Sequence, residues 1–181
     1  MNYVDPIKSK NDIKKIEKWL EMKNKRNRLI FAIGMNTGLR ISDILGLNVS
    51  DVYEKTHVEI REKKTNKYKR LLLNNKLQKL LGEYLKDIPN SNKPLFIGKK
   101  GYRLHRSQVY RFLNEACNAV GIKENIGCHS LRKSFGYHHY KQFDDIVLLQ
   151  KIFNHSSPAV SLRYIGIDQE IIENSYKNFE L

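Results

Sequence analysis

The spacing of the apolar residues limits this 181-residue chain to a mainly helical fold with one short β-hairpin. Apolar residues recur at helical intervals in most segments, for example at Ile13, Ile16 and Leu20, and this pattern predicts amphipathic helices. Period-two alternation occurs at 57–61 and, in part, at 68–73, which predicts two antiparallel strands joined by a turn. The chain is therefore expected to be an α+β protein, mainly α.

Capping and turn residues set the expected helix limits. Asn11 and Asp12 are expected to cap the first helix, and Gly38 is placed to end the second, which covers 28–36. Later helices are expected at 41–47, 75–86, 107–120, 130–141, 144–153 and 158–164.

The C-terminal tail, residues 168–181, carries Ile172, Tyr176 and Phe179 at helical spacing. An apolar stripe of this kind usually packs on the core of its own chain, which is the favoured interpretation here. The alternative is a helix that docks in a neighbouring subunit.

A strong positive charge indicates a polyanionic partner. Lys and Arg number 33 against 19 Asp and Glu, which gives a net charge of +14. These basic residues cluster, and clustered cations attract phosphates and gain from the release of counterions. We therefore expect nucleic acid as the partner.

Other classes of protein fit the composition poorly. No apolar run is long enough to span a bilayer, and the N-terminus lacks the apolar core of a signal peptide, so no membrane association is expected. Cys117 and Cys128 lack metal-type spacing, which favours a reducing cytoplasmic setting and predicts no metal site. The length suits one domain with one core.

Two arginines, two histidines and a tyrosine follow one another in a suggestive order. Arg40 lies in TGLRISD, His129 and Arg132 lie in HSLR, and His155 and Tyr164 lie in NHSSPAVSLRYI. Guanidiniums hold phosphate oxygens through paired hydrogen bonds, and both arginines are expected to open helices, where backbone N–H groups also favour phosphate.

Each of these residues also has a structural explanation when it is taken alone. Arg40 is spaced to form an ion pair with Asp43 three residues later. Either histidine suits a structural role, and Tyr164 is one of ten tyrosines and suits packing. The ordered set, rather than any single member, indicates chemistry on a phosphodiester.

The segments TGLRISDILGLNVSDV, KKTNKYKRLLL, HSLRKSF and NHSSPAVSLRYIGID resemble the catalytic-domain motifs of the tyrosine recombinase (phage integrase) family. The resemblance covers residues 30–167. It implies the catalytic-domain fold of that family, a helical bundle with a small antiparallel hairpin on one edge. It also implies a single catalytic domain at 1–181, with the tail at 168–181 exchanged between protomers.

The resemblance assigns roles residue by residue. Tyr164 would attack the scissile phosphate and form a 3′-phosphotyrosyl bond. Arg40 and Arg132 would clamp the non-bridging oxygens, His129 would act in phosphate positioning and proton transfer, and His155 would donate a hydrogen bond to the phosphate. No metal or other cofactor is implied, because the arginines and helix termini supply the positive charge.

The hairpin turn supplies the expected general acid. Lys64, which precedes Thr65, would protonate the leaving 5′-oxygen. Lys63 and Lys67 remain alternatives, since a turn does not fix which ammonium reaches the site. Asp43 would support the site without reacting.

The chain departs from the family pattern in two ways. Asn154 replaces the glycine that usually precedes the histidine, at a position that asparagine tolerates because it accepts left-handed conformations. The usual N-terminal core-binding domain is not recognised in the sequence. Both a part of a longer integrase and a naturally short member are consistent with this.

Three functions follow from these residues and the resemblance. The first is a site-specific recombinase that acts on double-stranded DNA as a homo-oligomer. Its expected assembly is a tetrameric synapse on DNA, with accessory DNA-bending or directionality proteins as further partners. The second is DNA relaxation of the type IB topoisomerase kind, and the third is a regulatory DNA-binding module derived from an integrase. The complete set of reactive residues favours the first two over the third, and the tail favours the first.

Overall fold

The molecule, described here from a computed structural model, is mainly helical with one β-hairpin. The structure describes residues 4–64 and 66–180, without the side chains of residues 168–171 and 174. In that part, the helices are α1 Lys10–Lys23, α2 Lys25–Thr37, α3 Ile41–Ile44, α4 Asn75–Leu85, α5 Arg106–Ala119, α6 Cys128–Phe143, α7 Ile146–Phe153, α8 Pro158–Ile165 and α9 Asp168–Lys177. The strands are β1 His57–Arg61 and β2 Tyr68–Leu72, and a short 3-10 turn covers Val49–Asp51.

The first helix begins before the predicted cap. The Ser9 hydroxyl accepts a hydrogen bond from the backbone N–H of Asp12 at 3.1 Å. Ser9 therefore caps α1, and the expectation that Asn11 and Asp12 do so is wrong, because both lie in the first turn. Gly38 ends α2 as predicted, with the left-handed φ of 63° that glycine adopts without strain.

Helix α6 begins two residues earlier than predicted. The backbone N–H of Gly127 donates to the Ser130 hydroxyl at 3.0 Å, and this contact fixes the start of the helix at Cys128. Arg132 consequently lies in the second turn of α6, so the expectation that it opens the helix is wrong. Arg40 does stand directly before a helix, as the N-cap residue of α3.

Two apolar clusters form the core, and α6 joins them. The larger cluster is built mainly from α1, α2, α4 and α5 and includes Leu131 of α6. The smaller cluster holds Leu149, Phe153 and Ile165, with Phe135 of α6 packed against it. Since the first part of α6 packs in the larger cluster and its later part in the smaller one, α6 sets their relative position.

The hairpin has the predicted strands in antiparallel register, from His57 opposite Leu72 to Arg61 opposite Tyr68. Beyond the strands, the N–H of Glu62 donates to the Lys67 carbonyl at 3.0 Å. The N–H of Asn66 donates to the Glu62 carbonyl at 2.8 Å. The predicted turn is therefore confirmed, except that its Thr65 lies outside the described residues.

The C-terminal stripe does not pack on the core of its own chain. Helix α9 ends at Lys177, earlier than the predicted range, and Leu181 lies outside the described residues. The exposed fractions of Ile172, Tyr176 and Phe179 are 44%, 79% and 67%. The interpretation favoured from the sequence, packing on the core of the same chain, is therefore wrong. None of the described helices is both long and apolar enough to cross a membrane.

Helix α8 approaches α6 closely because α6 carries glycine at the crossing. A Cβ atom added to Gly136 would lie 2.6 Å from Ile165 Cγ2 and 2.7 Å from Phe153 Cε2, well inside van der Waals contact. A larger residue would push α7 and α8 away from α6, since packed cores cannot absorb added volume without strain.

We expect Gly136→Ala to lower the free energy of unfolding by about 1–3 kcal/mol, the usual effect of overpacking. Urea denaturation would measure this loss. Gly82→Ala is the matched control, because a Cβ at Gly82 of α4 meets no atom within 4 Å. The control should be neutral or gain up to about 1 kcal/mol from helix propensity. Equal effects of the two substitutions would contradict this packing.

Candidate active site

Arg132 is a buried guanidinium held by two backbone carbonyls. Its Nη1 donates to the Gly38 carbonyl at 2.7 Å, and its Nη2 donates to the Phe153 carbonyl at 2.8 Å. The guanidinium carbon lies 4.3 Å from the centre of the Phe153 ring, in cation–π contact. Burial lowers the pKa of Arg132, but an arginine remains protonated in proteins. A fixed positive charge therefore lies between the ends of α2 and α7.

Arg40 pairs with a buried carboxylate from the hairpin. Its Nη1 lies 2.9 Å from Glu62 Oε2, and the Glu62 side chain is only 1% exposed. The sequence suggested Asp43 as the ion-pair partner, which is wrong, because Glu62 takes this position. Glu62 was missed, although it continues the inward alternation of Val58 and Ile60 in β1, which was a signal for its burial.

Asp43 anchors the hairpin to α3. Its Oδ1 accepts a hydrogen bond from the backbone N–H of Lys63 at 3.1 Å, and the residue is buried. A buried carboxylate that accepts a backbone hydrogen bond constrains both segments, because loss of the bond would leave a charge unsolvated. Asp43 thus fixes the point at which the chain enters the turn that contains Lys64.

Tyr164, on α8, packs edge-on against two rings of the smaller cluster. Its ring centre lies 5.6 Å from that of Phe153 and 5.1 Å from that of His155, both in T-shaped geometry. Burial raises the pKa of Tyr164 above its usual value, while the charges of Arg132 and Arg40 and a hydrogen bond with the Arg132 side chain act in the opposite direction. The Tyr164 side chain therefore forms a hydrogen bond with the Arg132 guanidinium, and the charge of Arg40 also acts on it.

His155 lies in the segment between α7 and α8. Its backbone N–H donates to the Gln150 carbonyl at 3.1 Å, and its Nδ1 lies 3.1 Å from the Ser161 hydroxyl. Burial, together with the charges of Arg132 and Arg40, lowers the pKa of His155 to about 4. The imidazole is therefore neutral at pH 7 and keeps one N–H to donate.

His129 lies in the first turn of α6 and is exposed. It borders a cavity of about 510 Å³ together with Arg106 at the start of α5. Although the residue as a whole is exposed, partial desolvation of its ring lowers the pKa of His129, and the charges of Arg106, Arg132, Lys133 and Lys64 lower it further. A neutral His129 can accept a proton at pH 7.

The structure separates the three candidate lysines of the turn. The Lys63 side chain packs near Gly46, with its Cε 3.4 Å from the position of a Cβ there. Lys67 Nζ donates to Asn154 Oδ1 at 2.9 Å. The charge of Lys64 acts on both His129 and His155, lowering the pKa of each. Lys64 thus lies close enough for its charge to act on both histidines.

Two further lysines near the site were not singled out from the sequence. Lys69 Nζ donates to the Ile152 carbonyl at 2.7 Å, and its burial lowers its pKa to about 8. Lys133 Nζ lies 5.6 Å from the centre of the Tyr164 ring. Lys69 lies opposite Ile60 in the hairpin, so the same alternation that buries Glu62 marked it as inward-facing.

The site thus joins a tyrosine hydroxyl to two guanidiniums, two neutral imidazoles and a flanking ammonium. Positive charge dominates, and it is balanced in part by the buried carboxylates Glu62 and Asp43. This arrangement suits a substrate that brings negative charge close to Tyr164, as a phosphodiester does. Among the side chains that the structure describes, no group of three or more His, Cys, Asp or Glu residues is arranged to hold a metal ion.

Comparison with known proteins agrees with this chemistry. The model of the phage integrase family matches residues 9–170. The probable integrase/recombinase YoeC of Bacillus subtilis is 44% identical over 180 residues, which cover 99% of this chain and 98% of YoeC. The tyrosine recombinase XerH of Campylobacter jejuni is 31% identical over 175 residues, which cover 90% of this chain and 48% of XerH.

Solved structures share the fold. XerH bound to a palindromic difH substrate in a post-cleavage complex superposes with a TM-score of 0.77 at 25% identity, over 98% of this chain and 54% of that one. XerA recombinase gives a TM-score of 0.78 at 21% identity, over 99% of this chain and 68% of that one, and supports the fold alone. The chain spans nearly all of YoeC and about half of either XerH protein. It therefore belongs to the phage integrase family of tyrosine recombinases.

Proposed function

We propose that this protein is a site-specific DNA recombinase that cleaves and rejoins double-stranded DNA through Tyr164. The observation that supports the proposal is the hydrogen bond between the Tyr164 and Arg132 side chains, together with the charge of Arg40 acting on Tyr164. Guanidiniums are the groups best suited to bind the non-bridging oxygens of a phosphate that Tyr164 attacks.

In the cleavage step, Tyr164 Oη attacks phosphorus and the bond from phosphorus to the 5′-oxygen breaks. The products are a 3′-phosphotyrosyl bond and a free 5′-hydroxyl. Arg40 and Arg132 bind the non-bridging oxygens as negative charge builds, and neutral His155 donates a hydrogen bond to one of them. Attack by a 5′-hydroxyl of the partner strand reverses the step, so the bond energy is conserved and no ATP is needed.

The protons move in opposite directions on the two sides of the phosphate. Tyr164 has a raised pKa and must lose its proton as it attacks, so it needs a base. His129, whose lowered pKa leaves it neutral, accepts that proton directly or through water. On the other side, Lys64 gives a proton to the leaving 5′-oxygen, and Asp43 holds the start of the turn that carries it.

Partners follow from the same proposal. XerH is described on a DNA substrate, which supports DNA as the substrate of this chain. A cytoplasmic location is part of the same proposal. The exposed stripe of Ile172, Tyr176 and Phe179 on the tail docks on a second protomer, since its own chain leaves it uncovered. Such an exchange links protomers into a tetramer on paired DNA sites. The similarity to named recombinases does not favour topoisomerase-like relaxation or an inert DNA-binding module.

The proposal predicts a covalent protein–DNA adduct that depends on Tyr164. Wild-type protein and a labelled, nicked duplex that carries the DNA flanking the gene for this chain should give an SDS-resistant adduct in EDTA. Tyr164→Phe should give none, because the phenyl ring lacks a nucleophilic oxygen. The control Tyr102→Phe changes a tyrosine that is 78% exposed and should retain the adduct. An adduct formed by Tyr164→Phe would contradict the nucleophile assignment, and dependence on metal would contradict the mechanism.

A second prediction concerns the general acid. Lys64→Met should slow cleavage of ordinary DNA by about 10²- to 10⁴-fold, the usual contribution of a positioned acid. Sulfur in place of the bridging 5′-oxygen leaves without protonation, so this duplex should restore cleavage by Lys64→Met to near the wild-type rate. Lys63→Met is the matched control from the neighbouring position and should cleave both duplexes normally. A Lys64→Met enzyme that is equally slow on both duplexes would refute the role of Lys64.

A further inference from the structure

Asn154 does more in this structure than replace a glycine. It ends α7 in the left-handed region, with φ 57° and ψ 44°, a conformation that glycine adopts freely and that asparagine also accepts. Its side chain reaches the hairpin, where Asn154 Oδ1 accepts a hydrogen bond from Lys67 Nζ at 2.9 Å. A glycine at this position has no side chain with which to make this contact.

A second contact joins the same two segments. Lys69 Nζ donates to the carbonyl oxygen of Ile152 at 2.7 Å, near the end of α7. Of the residues that donate, Lys67 directly precedes β2 and Lys69 is its second residue. The residues that accept lie two positions apart, Ile152 in the last turn of α7 and Asn154 directly after it. The hairpin is thus tied at two points to the segment that leads into His155.

These ties bear on Lys64 because it lies in the same turn. On the β1 side, the turn is held by the hydrogen bond from the Lys63 N–H to Asp43 and by the ion pair of Glu62 with Arg40. On the β2 side, the contacts to Asn154 and Ile152 supplement strand pairing, which is weak in an isolated two-stranded hairpin. Proton transfer requires the donor to approach its acceptor within about 2.6–3.2 Å. Movement of the β2 side of the turn would therefore displace the acid, while Asp43 and Glu62 keep their contacts on the β1 side and Arg132 stays bound to the carbonyls of Gly38 and Phe153.

We propose that Asn154 and Lys67 form a latch, reinforced by Lys69 and the Ile152 carbonyl, that positions the hairpin so that Lys64 reaches the leaving 5′-oxygen. Asn154 and Lys67 are positioning residues here and take no part in the reaction. The inference rests on the proposed role of Lys64 as the general acid. It predicts a defect confined to protonation of the leaving group, with phosphate binding and Tyr164 unaffected.

The substitution Asn154→Gly tests the latch with little risk to folding, since glycine suits the local backbone. Single-turnover cleavage would be measured on the ordinary duplex and on the duplex with bridging 5′-sulfur. We expect Asn154→Gly to be about three- to tenfold slower than wild type on the ordinary duplex, the factor that one hydrogen bond carries. On the sulfur duplex, which needs no acid, its rate should equal that of wild type.

A double-mutant cycle separates the latch from other effects of Lys67. Lys67→Met also removes a charge that can attract DNA, and that loss would slow both duplexes equally. The rate on the ordinary duplex divided by the rate on the sulfur duplex isolates the acid step. If the two residues act through one contact, this ratio for the double variant Asn154→Gly/Lys67→Met should be no lower than the ratio for either single variant. Glu54→Gly removes a side chain from another residue with positive φ, 52°, and should leave both rates unchanged.

The outcomes separate this inference from the function on which it rests. If Lys64→Met is not rescued by sulfur, the assigned acid is wrong and the latch has nothing to position. If Lys64→Met is rescued while Asn154→Gly matches wild type on both duplexes, or slows both equally, the latch is refuted and the role of Lys64 stands. Additive effects of the two changes on the oxygen-to-sulfur ratio would also refute the latch.

Discussion

The arrangement of the site depends on one interaction, the pair of hydrogen bonds from Arg132 to the carbonyls of Gly38 and Phe153. Gly38 ends α2 in the larger apolar cluster, and Phe153 ends α7 in the smaller one. One guanidinium on α6 therefore joins the ends of two helices that belong to different parts of the core. Because Phe153 also packs against Tyr164, the same contact sets the distance between the arginine and the tyrosine hydroxyl.

The second constraint is the balance of charge. Arg40 and Arg132 repel each other at a site with little solvent, and the positive charge of each lowers the pKa of nearby groups. Glu62 offsets part of this charge through its ion pair with Arg40, and Asp43 adds a second buried carboxylate. Burial and the remaining positive charge together keep both histidines neutral, and that charge opposes the rise in the pKa of Tyr164 that burial causes. A phosphate entering this site would meet guanidiniums already in place, without reorganisation.

Sequence patterns predicted the parts of this structure that depend on local chemistry. Period-two alternation located both strands, and Gly38 marked the end of α2 because only a left-handed residue continues the chain there. The partner of Arg40 was mispredicted, because spacing along the helix favoured Asp43, whereas the fold brings Glu62 from the hairpin. The exposure of the tail and the contact between Lys67 and Asn154 depend on packing between segments that are far apart in the sequence. Helix propensity and hydrophobic periodicity carry no information about such packing.

The free energy of unfolding of Arg132→Lys, without DNA, tests the central claim most directly. Lysine keeps the positive charge, but its compact ammonium cannot span two carbonyls as a planar guanidinium does. We expect a loss of about 1.5–3 kcal/mol, the value of one buried hydrogen bond from a charged group. Arg111→Lys, at an exposed position of α5, should change stability by less than about 0.5 kcal/mol. Wild-type stability of Arg132→Lys would show that the two carbonyl bonds do not hold the clusters together, and would contradict the account.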